Sequence, residues 1–183
     1  MKQIADLLFE ARMLKDLKRS GYAFLGNGKE SIADHCFTTT FICWIMARMV
    51  PQVDKERLTA MALVHDMAEA RTGDFNYVQK NYARVDEAAA LSHLVRDLPF
   101  GSDIVALVAE FNAGETLEAR LAKDADQLSF ILELKKLKDT GAAFPDRWLE
   151  VIRERLKTDI GNQMAADILE TRWDNWWLNG YTE

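Results

Sequence analysis

The chain has 183 residues, with 23 Lys and Arg against 29 Asp and Glu, a formal net charge of −6. Hydrophobic residues make up 49% and charged residues 28%, the composition of a globular chain with one sizeable core. The acidic balance argues against a dedicated binder of nucleic-acid backbone, which needs a basic face; a small anionic substrate needs only local positive charge. Asp6 and Glu10 interrupt any N-terminal stretch of signal-peptide type, and the longest apolar run, 41–47, is too short to span a bilayer. Cys36 and Cys43 stand seven apart in one predicted helix, roughly 10 Å at helical rise and beyond disulfide reach. These features predict a soluble, cytoplasmic, reduced protein with neither a membrane nor a nucleic-acid polymer as partner.

In chain order, Ile4, Leu7, Leu8, Ala11 and Leu14 form an apolar stripe at helix spacing over 3–18, and Gly21, Gly26 and Gly28 mark an irregular loop. Ser31-Ile32-Ala33-Asp34 has the form of a capping box and opens a helix to about Met49. Asp54 is the predicted N-cap of a helix to about Ala70, broken by the turn Arg71-Thr72-Gly73-Asp74. Further helices are predicted at about 82–97, 102–112, 115–138, 145–158 (Pro145 at its first position) and 160–178. No stretch alternates β-branched and polar residues long enough for a strand, so the expected architecture is one all-α domain over 1–183.

Only His35, His65 and His93 are present. On a helix, Leu58, Met61, Ala62, His65 and Glu69 share one face, so His65 and Glu69 stand where packing alone favours Leu or Ala, with Asp66 one residue further round. The plain alternative is a hydrogen-bonded core histidine. His35 falls in the first turns of its helix, where the dipole disfavours imidazolium and leaves the neutral form that ligates metals. In Lys123-Asp124-Ala125-Asp126-Gln127-Leu128, Asp124 lies at the edge of the main apolar stripe and Asp126 opposite it; periodicity does not choose between the two.

These segments resemble the HD-domain phosphohydrolases. Glu30-Ser31-Ile32-Ala33-Asp34-His35 is similar to the family's E-[SN]-V-[SA]-[ED]-H, the segment from His65-Asp66 through Glu69 to Gly73-Asp74 to its HD-x-x-E-x-x-x-GD, and Lys123 to Leu128 to its K-x-A-D-x-L. Together, over about 5–138, they are similar to the branch that holds bacterial 5′-deoxynucleotidase and its eukaryotic relatives. The resemblance implies metal ligands His35, His65, Asp66 and Asp126, and so selects Asp126 over Asp124. It also implies that Glu69 acts on the attacking water, that Asp74 belongs to the substrate site, and that Arg19 receives the phosphate; Asp74 is expected to be catalytic as well as substrate-binding, and Tyr77 is a further substrate-binding candidate. The bacterial enzyme carries a tryptophan after that arginine where this chain has Ser20, a departure that bears on sugar selectivity and phosphate orientation. Two-metal members need more histidines than His93 supplies, and His93 reads as structural, so one divalent ion is expected, of Mn, Co, Fe, Ni, Zn or Mg.

The implied activity is hydrolysis of a (deoxy)nucleoside 5′-monophosphate to nucleoside and phosphate. The alternatives are hydrolysis of another small phosphate ester, or a non-catalytic nucleotide sensor. A homodimer is expected, with the helices of 145–178 packing on the core or forming an interface. Trp173, Trp176 and Trp177 supply apolar area there, and Lys135, Lys136 and Lys138 read as a solvated helix end.

Overall fold

A computed structural model describes residues 1–143 and 145–181. Its helices are α1 (Lys2–Met13), α2 (Tyr22–Leu25), α3 (Ile32–Met49), α4 (Lys55–Val64), α5 (Glu69–Thr72), α6 (Glu87–Val95), α7 (Gly101–Ala113), α8 (Leu117–Asp139), α9 (Pro145–Arg153), α10 (Asp159–Glu170) and α11 (Asn175–Leu178). Short 3-10 turns occupy Gln79–Asn81 and Asn179–Tyr181. The architecture is all-α; among the described residues the one β-type feature is an isolated antiparallel bridge between Lys18 and Ser31. None of these helices is long and apolar enough to cross a membrane.

The caps form as the sequence predicts at the start of α3: Ser31 Oγ accepts from Asp34 N, and Asp34 Oδ2 accepts from Ser31 N, each at 3.1 Å. Asp54 and Thr116 cap α4 and α8 through the backbone N–H groups of Arg57 and Ala119. Several predicted helices are shorter than expected. The first ends at Met13 rather than 18, because residues 17–19 are drawn into pairing with 30–32. The helix expected over 54–70 stops at Val64, where bonding tightens to i→i+3 in Met67 N to Val64 O and Glu69 N to Asp66 O. That expected over 82–97 starts only after Asp86 caps it by accepting from Ala89 N, and that expected over 145–158 ends at Arg153. The helix expected over 160–178 divides at Thr171, which is extended, and Trp173 N donates to Asp139 Oδ2 at 2.9 Å.

Helix α8 packs against α3, α4, α7, α9 and α10. Its buried residues (Leu121, Ala122, Ala125, Leu128, Ser129, Ile131 and Leu134 among them) face several directions, the pattern of a central helix. One apolar cluster joins them to Ile42, Cys43 and Met46 of α3 and Leu58, Met61 and Ala62 of α4. A second gathers Leu14, Ile32, Cys36, Met67, Ala68, Leu91, Leu94, Val95 and Val108. Helix α3 contributes to both, and fully buried His35 lies on it beside Cys36 of the second cluster. Lys135 is buried and pairs with Asp139 at 2.6 Å, so this part of the lysine-rich stretch is not the solvated end expected. The C-terminal tryptophans are not core residues: Trp176 is 81% and Trp177 40% exposed.

Asp124 is fully buried and structural. Its Oδ1 accepts from Lys157 N at 2.8 Å, and its Oδ2 accepts from Thr158 N at 2.8 Å and Thr158 Oγ1 at 2.6 Å. Thr158 in turn caps α10 through Gly161 N, and a Cβ on Gly161 would come within 2.3 Å of Asp124 Oδ2. The carboxylate thus locks α10 onto α8 where only glycine fits. Asp124→Ala strips these donors of their acceptor and is expected to cost about 3 kcal/mol of stability while the folded variant keeps its metal. Urea denaturation beside metal analysis measures both, and wild-type stability contradicts this role.

Candidate metal centre

Residues 17–19 and 30–32 form a short clasp: Arg19 N donates to Glu30 O at 2.9 Å and Ile32 N to Leu17 O at 3.0 Å. This ties the Arg19 loop to the entry of α3, one turn before His35. Arg19 therefore arrives beside the α3 histidine through backbone pairing.

Four sequence-predicted residues converge here. His35 Nε2 lies 2.9 Å from Asp126 Oδ1 and 3.7 Å from Asp66 Oδ2, and His65 Nε2 lies 3.2 Å from Asp66 Oδ2. The two imidazoles meet edge to face at 5.5 Å between centroids. Each ring is held from behind. His65 Nδ1 donates to Ala62 O at 2.8 Å; a carbonyl only accepts, so in the neutral ring Nε2 carries the lone pair. His35 Nδ1 pairs with Ser129 Oγ at 3.1 Å. Both Nε2 atoms are buried and make no regular hydrogen bond; each faces a carboxylate oxygen, Asp126 at 2.9 Å from His35 and Asp66 at 3.2 Å from His65. Ligand atoms of His35, His65 and Asp126 lie within 4.8 Å of one another, and Asp66 faces both histidines; with the opposite ring nitrogens anchored, this donor set fits a first-row divalent cation. Cys36 also lies within reach of His65 and Asp66. Burial, with the nearby carboxylates of Asp66 and Glu69, pushes its thiol above the usual range.

The break after α4 shapes this cluster. With α4 ending at Val64, His65 and Asp66 fall in the turn that follows, and Glu69 is the first residue of α5. Burial first, then the carboxylates of Asp66 and Asp74, raise the Glu69 carboxyl to about 9. Asp74 follows Gly73, whose φ of 76° suits glycine, and accepts from Ser20 N at 2.7 Å and Ser20 Oγ at 3.1 Å. The residue that departs from the bacterial pattern is thus bonded to the carboxylate expected in the substrate site. Tyr77 is 76% exposed in the segment beyond Asp74 and is not drawn into the cluster. His93 lies exposed on α6.

The electrostatics favour positive charge at the cluster. Burial opposes charge on His65, but Asp66 and Asp126 outweigh it and raise His65 to about 9. Burial and then Arg19 lower His35 below its ordinary value. Burial would raise the Asp126 carboxyl, but His35, His65 and Arg19 hold it far below the usual range. Arg19 Nη1 stands 4.0 Å from Asp66 Oδ2 and its Nε 3.7 Å from Glu30 Oε2. Burial works against its charge, and the carboxylates of Asp126, Asp66, Glu30 and Asp74 more than compensate.

Sequence reasoning passed over Ser129 and gave Glu30 no role beyond its place in a motif. Ser129 lies three residues after Asp126 on α8, an i, i+3 spacing that marks it as a neighbour. Glu30 carries no periodic signal because it precedes the helix.

An HD domain family matches residues 11–168. The 5′-deoxynucleotidase HDDC2 of Xenopus laevis is 32% identical over 140 residues, covering 72% of this chain and 68% of that protein. The 5′-deoxynucleotidase hdd1 of Schizosaccharomyces pombe is 30% identical over 131 residues, or 66% of this chain; the match spans 65% of that protein, just under two thirds of its length. A conserved hypothetical protein from Pyrococcus furiosus superposes with a TM-score of 0.77 at 27% identity, covering 91% of this chain and 99% of its own. The family match spans most of the chain and includes every residue of the buried histidine–aspartate cluster, so this chain belongs to the HD domain family.

Proposed function

We propose that this chain is a metal-dependent phosphomonoesterase that hydrolyses nucleoside 5′-monophosphates, deoxynucleotides foremost, to nucleoside and phosphate. The observation that carries the reading is the pair of buried, unpartnered Nε2 atoms of His35 and His65 facing Asp66 and Asp126, with Arg19 alongside. The names of the related 5′-deoxynucleotidases support the substrate class. His35, His65, Asp66 and Asp126 would hold one divalent ion. When bound, such an ion supplies Lewis acidity toward a phosphoryl oxygen and toward water.

The chain's own residues supply the rest. Glu69 orients the attacking water and accepts its proton; the repulsion that lifts its carboxyl comes partly from Asp66, whose charge a bound cation would offset. Arg19 offers paired N–H donors to phosphate oxygens. Asp74, oriented by Ser20, would serve the substrate site, and Tyr77, exposed beyond it, would reach the substrate only from outside the cluster. The free, buried Cys36 and Cys43 suit a reducing cytoplasm. A nucleotide sensor would have no use for Glu69 beside the ligands, which favours the enzyme.

Copies of the chain pair through the outer face of α3. Phe37, Phe41 and Trp44 stack along it at 6.3 and 5.9 Å, 72%, 53% and 45% exposed, beside an apolar groove of about 580 Å³ that Leu8 and Leu63 also line. Their exposed parts amount to roughly 500 Å², a large share of the ~800 Å² per partner in a stable interface. A ridge beside a groove on one face is self-complementary about a two-fold axis. Light scattering is expected to give a dimer for wild type and a monomer for Phe41→Glu. A monomeric wild type, or a dimer broken only by Trp176→Glu, rejects this interface.

Phosphate release from a panel of 5′-mononucleotides with added Mn or Co tests the activity. Tight nucleotide binding without release, for every metal tried, would establish the sensor instead. Asp126→Ala is expected to lose both metal and turnover. Glu69→Ala should keep the metal and slow the reaction by about 10²–10⁴-fold, and full activity in that variant would remove the base from the mechanism.

A further inference from the structure

We propose that Glu30 is a positioning residue: its carboxylate holds the Nε side of the Arg19 guanidinium and keeps the Nη groups available for phosphate. The proposal rests on the reading of Arg19 as the phosphate receiver and adds a residue that touches no substrate itself.

Glu30 is 6% exposed and is clasped from two directions. Its backbone carbonyl accepts from Arg19 N at 2.9 Å, while its Oε2 accepts from Tyr22 Oη at 3.2 Å and lies 3.7 Å from Arg19 Nε. Tyr22 is itself fixed: its ring packs edge-on to Phe130 at 6.2 Å, and a Cβ on Gly28 (φ 84°) would fall 2.9 Å from it. The carboxylate is therefore held in one place by a buried, immobilised hydroxyl.

Arg19 lies between two sets of negative charge. Glu30 faces Nε, and Asp66 faces Nη1 at 4.0 Å, with Asp126 and Asp74 adding to the field. Glu30 and Asp66 thus hold opposite edges of the guanidinium; with the charge of Asp66 offset by a bound cation, Glu30 is the carboxylate left to fix its orientation. A neutral amide would satisfy the Tyr22 hydroxyl equally well; only Arg19 requires a charge at this buried position. Burial, reinforced by Glu133, raises the Glu30 carboxyl to about 7, while the Arg19 charge and the Tyr22 hydroxyl work in the opposite direction and favour the carboxylate.

The test compares Glu30→Gln, Arg19→Ala and the double variant in the metal-loaded protein. Steady-state kinetics use a 5′-mononucleotide, and calorimetry uses inorganic phosphate as the binding probe. Glu30→Gln is expected to raise KM and the phosphate Kd about tenfold, keep kcat within about threefold, and leave metal content and melting temperature unchanged. In the Arg19→Ala background it should add nothing further. A wild-type KM and phosphate Kd in Glu30→Gln, or a fully additive loss in the double variant, overturns the proposal. If Arg19→Ala itself leaves phosphate binding intact, the reading of Arg19 falls and this proposal falls with it; if Arg19→Ala weakens binding and Glu30→Gln does not, only the role of Glu30 falls. Should Glu30→Gln fail to fold, Tyr22→Phe removes the hydroxyl that aims the carboxylate. A smaller KM rise that vanishes in the Arg19→Ala background supports the proposal, and an unchanged KM overturns it.

Discussion

Two imidazoles buried with their outer nitrogens anchored, and their inner nitrogens turned toward two carboxylates, set the terms for the rest of this structure. Ala62 O engages Nδ1 of His65 and Ser129 Oγ engages Nδ1 of His35, so each Nε2 is left facing negative charge without a hydrogen bond. Burying such groups is costly unless a cation is shared among them. The surrounding elements answer to that constraint. The α4 helix stops at the residue before His65, and α3 is tied by its capping box and by the 17–19 clasp at the turn that presents His35.

Asp124 and Asp126 show how one helix can carry two acids, one buried and one half-buried, with unrelated work. Two residues apart on α8, they point about 200° from one another at helical spacing. Asp124 turns toward α10 and is satisfied by two backbone N–H groups and a hydroxyl. Asp126 turns toward the histidines, and His35, His65 and Arg19 hold its carboxyl below the usual range although desolvation would raise it. What separates structure from site is the identity of the facing element.

Arg19 brings a positive charge to a strongly acidic pocket, and its position follows from a backbone contact as much as from charge. The bridge from Lys18 to Ser31 is the one β-type pairing among the described residues, and it falls where a loop residue must be held against a helix start. The same small region orders Glu30, Tyr22 and Ser20, so residues 17–32 form a frame around the histidine helix.

The sequence by itself determined the all-α class, the capping box at Ser31, Pro145 opening its helix, and the chemical character of the His35, His65-Asp66 and Asp126 segments. Those signals are local: caps read within four residues, and apolar spacing reads within a helix. Tertiary structure decided what local signals cannot carry. Helix α8 is buried on several sides, so its periodicity held no preference between Asp124 and Asp126, and the resemblance to a family supplied the choice. The stop after Val64 goes unannounced by glycine or proline, and its i→i+3 bonds become evident only in the folded chain. Ser129 behind His35, Ser20 on Asp74, and Glu30 beside Arg19 are contacts across 94, 54 and 11 residues of chain. Each depends on two segments meeting in space, and sequence periodicity carries no record of that meeting.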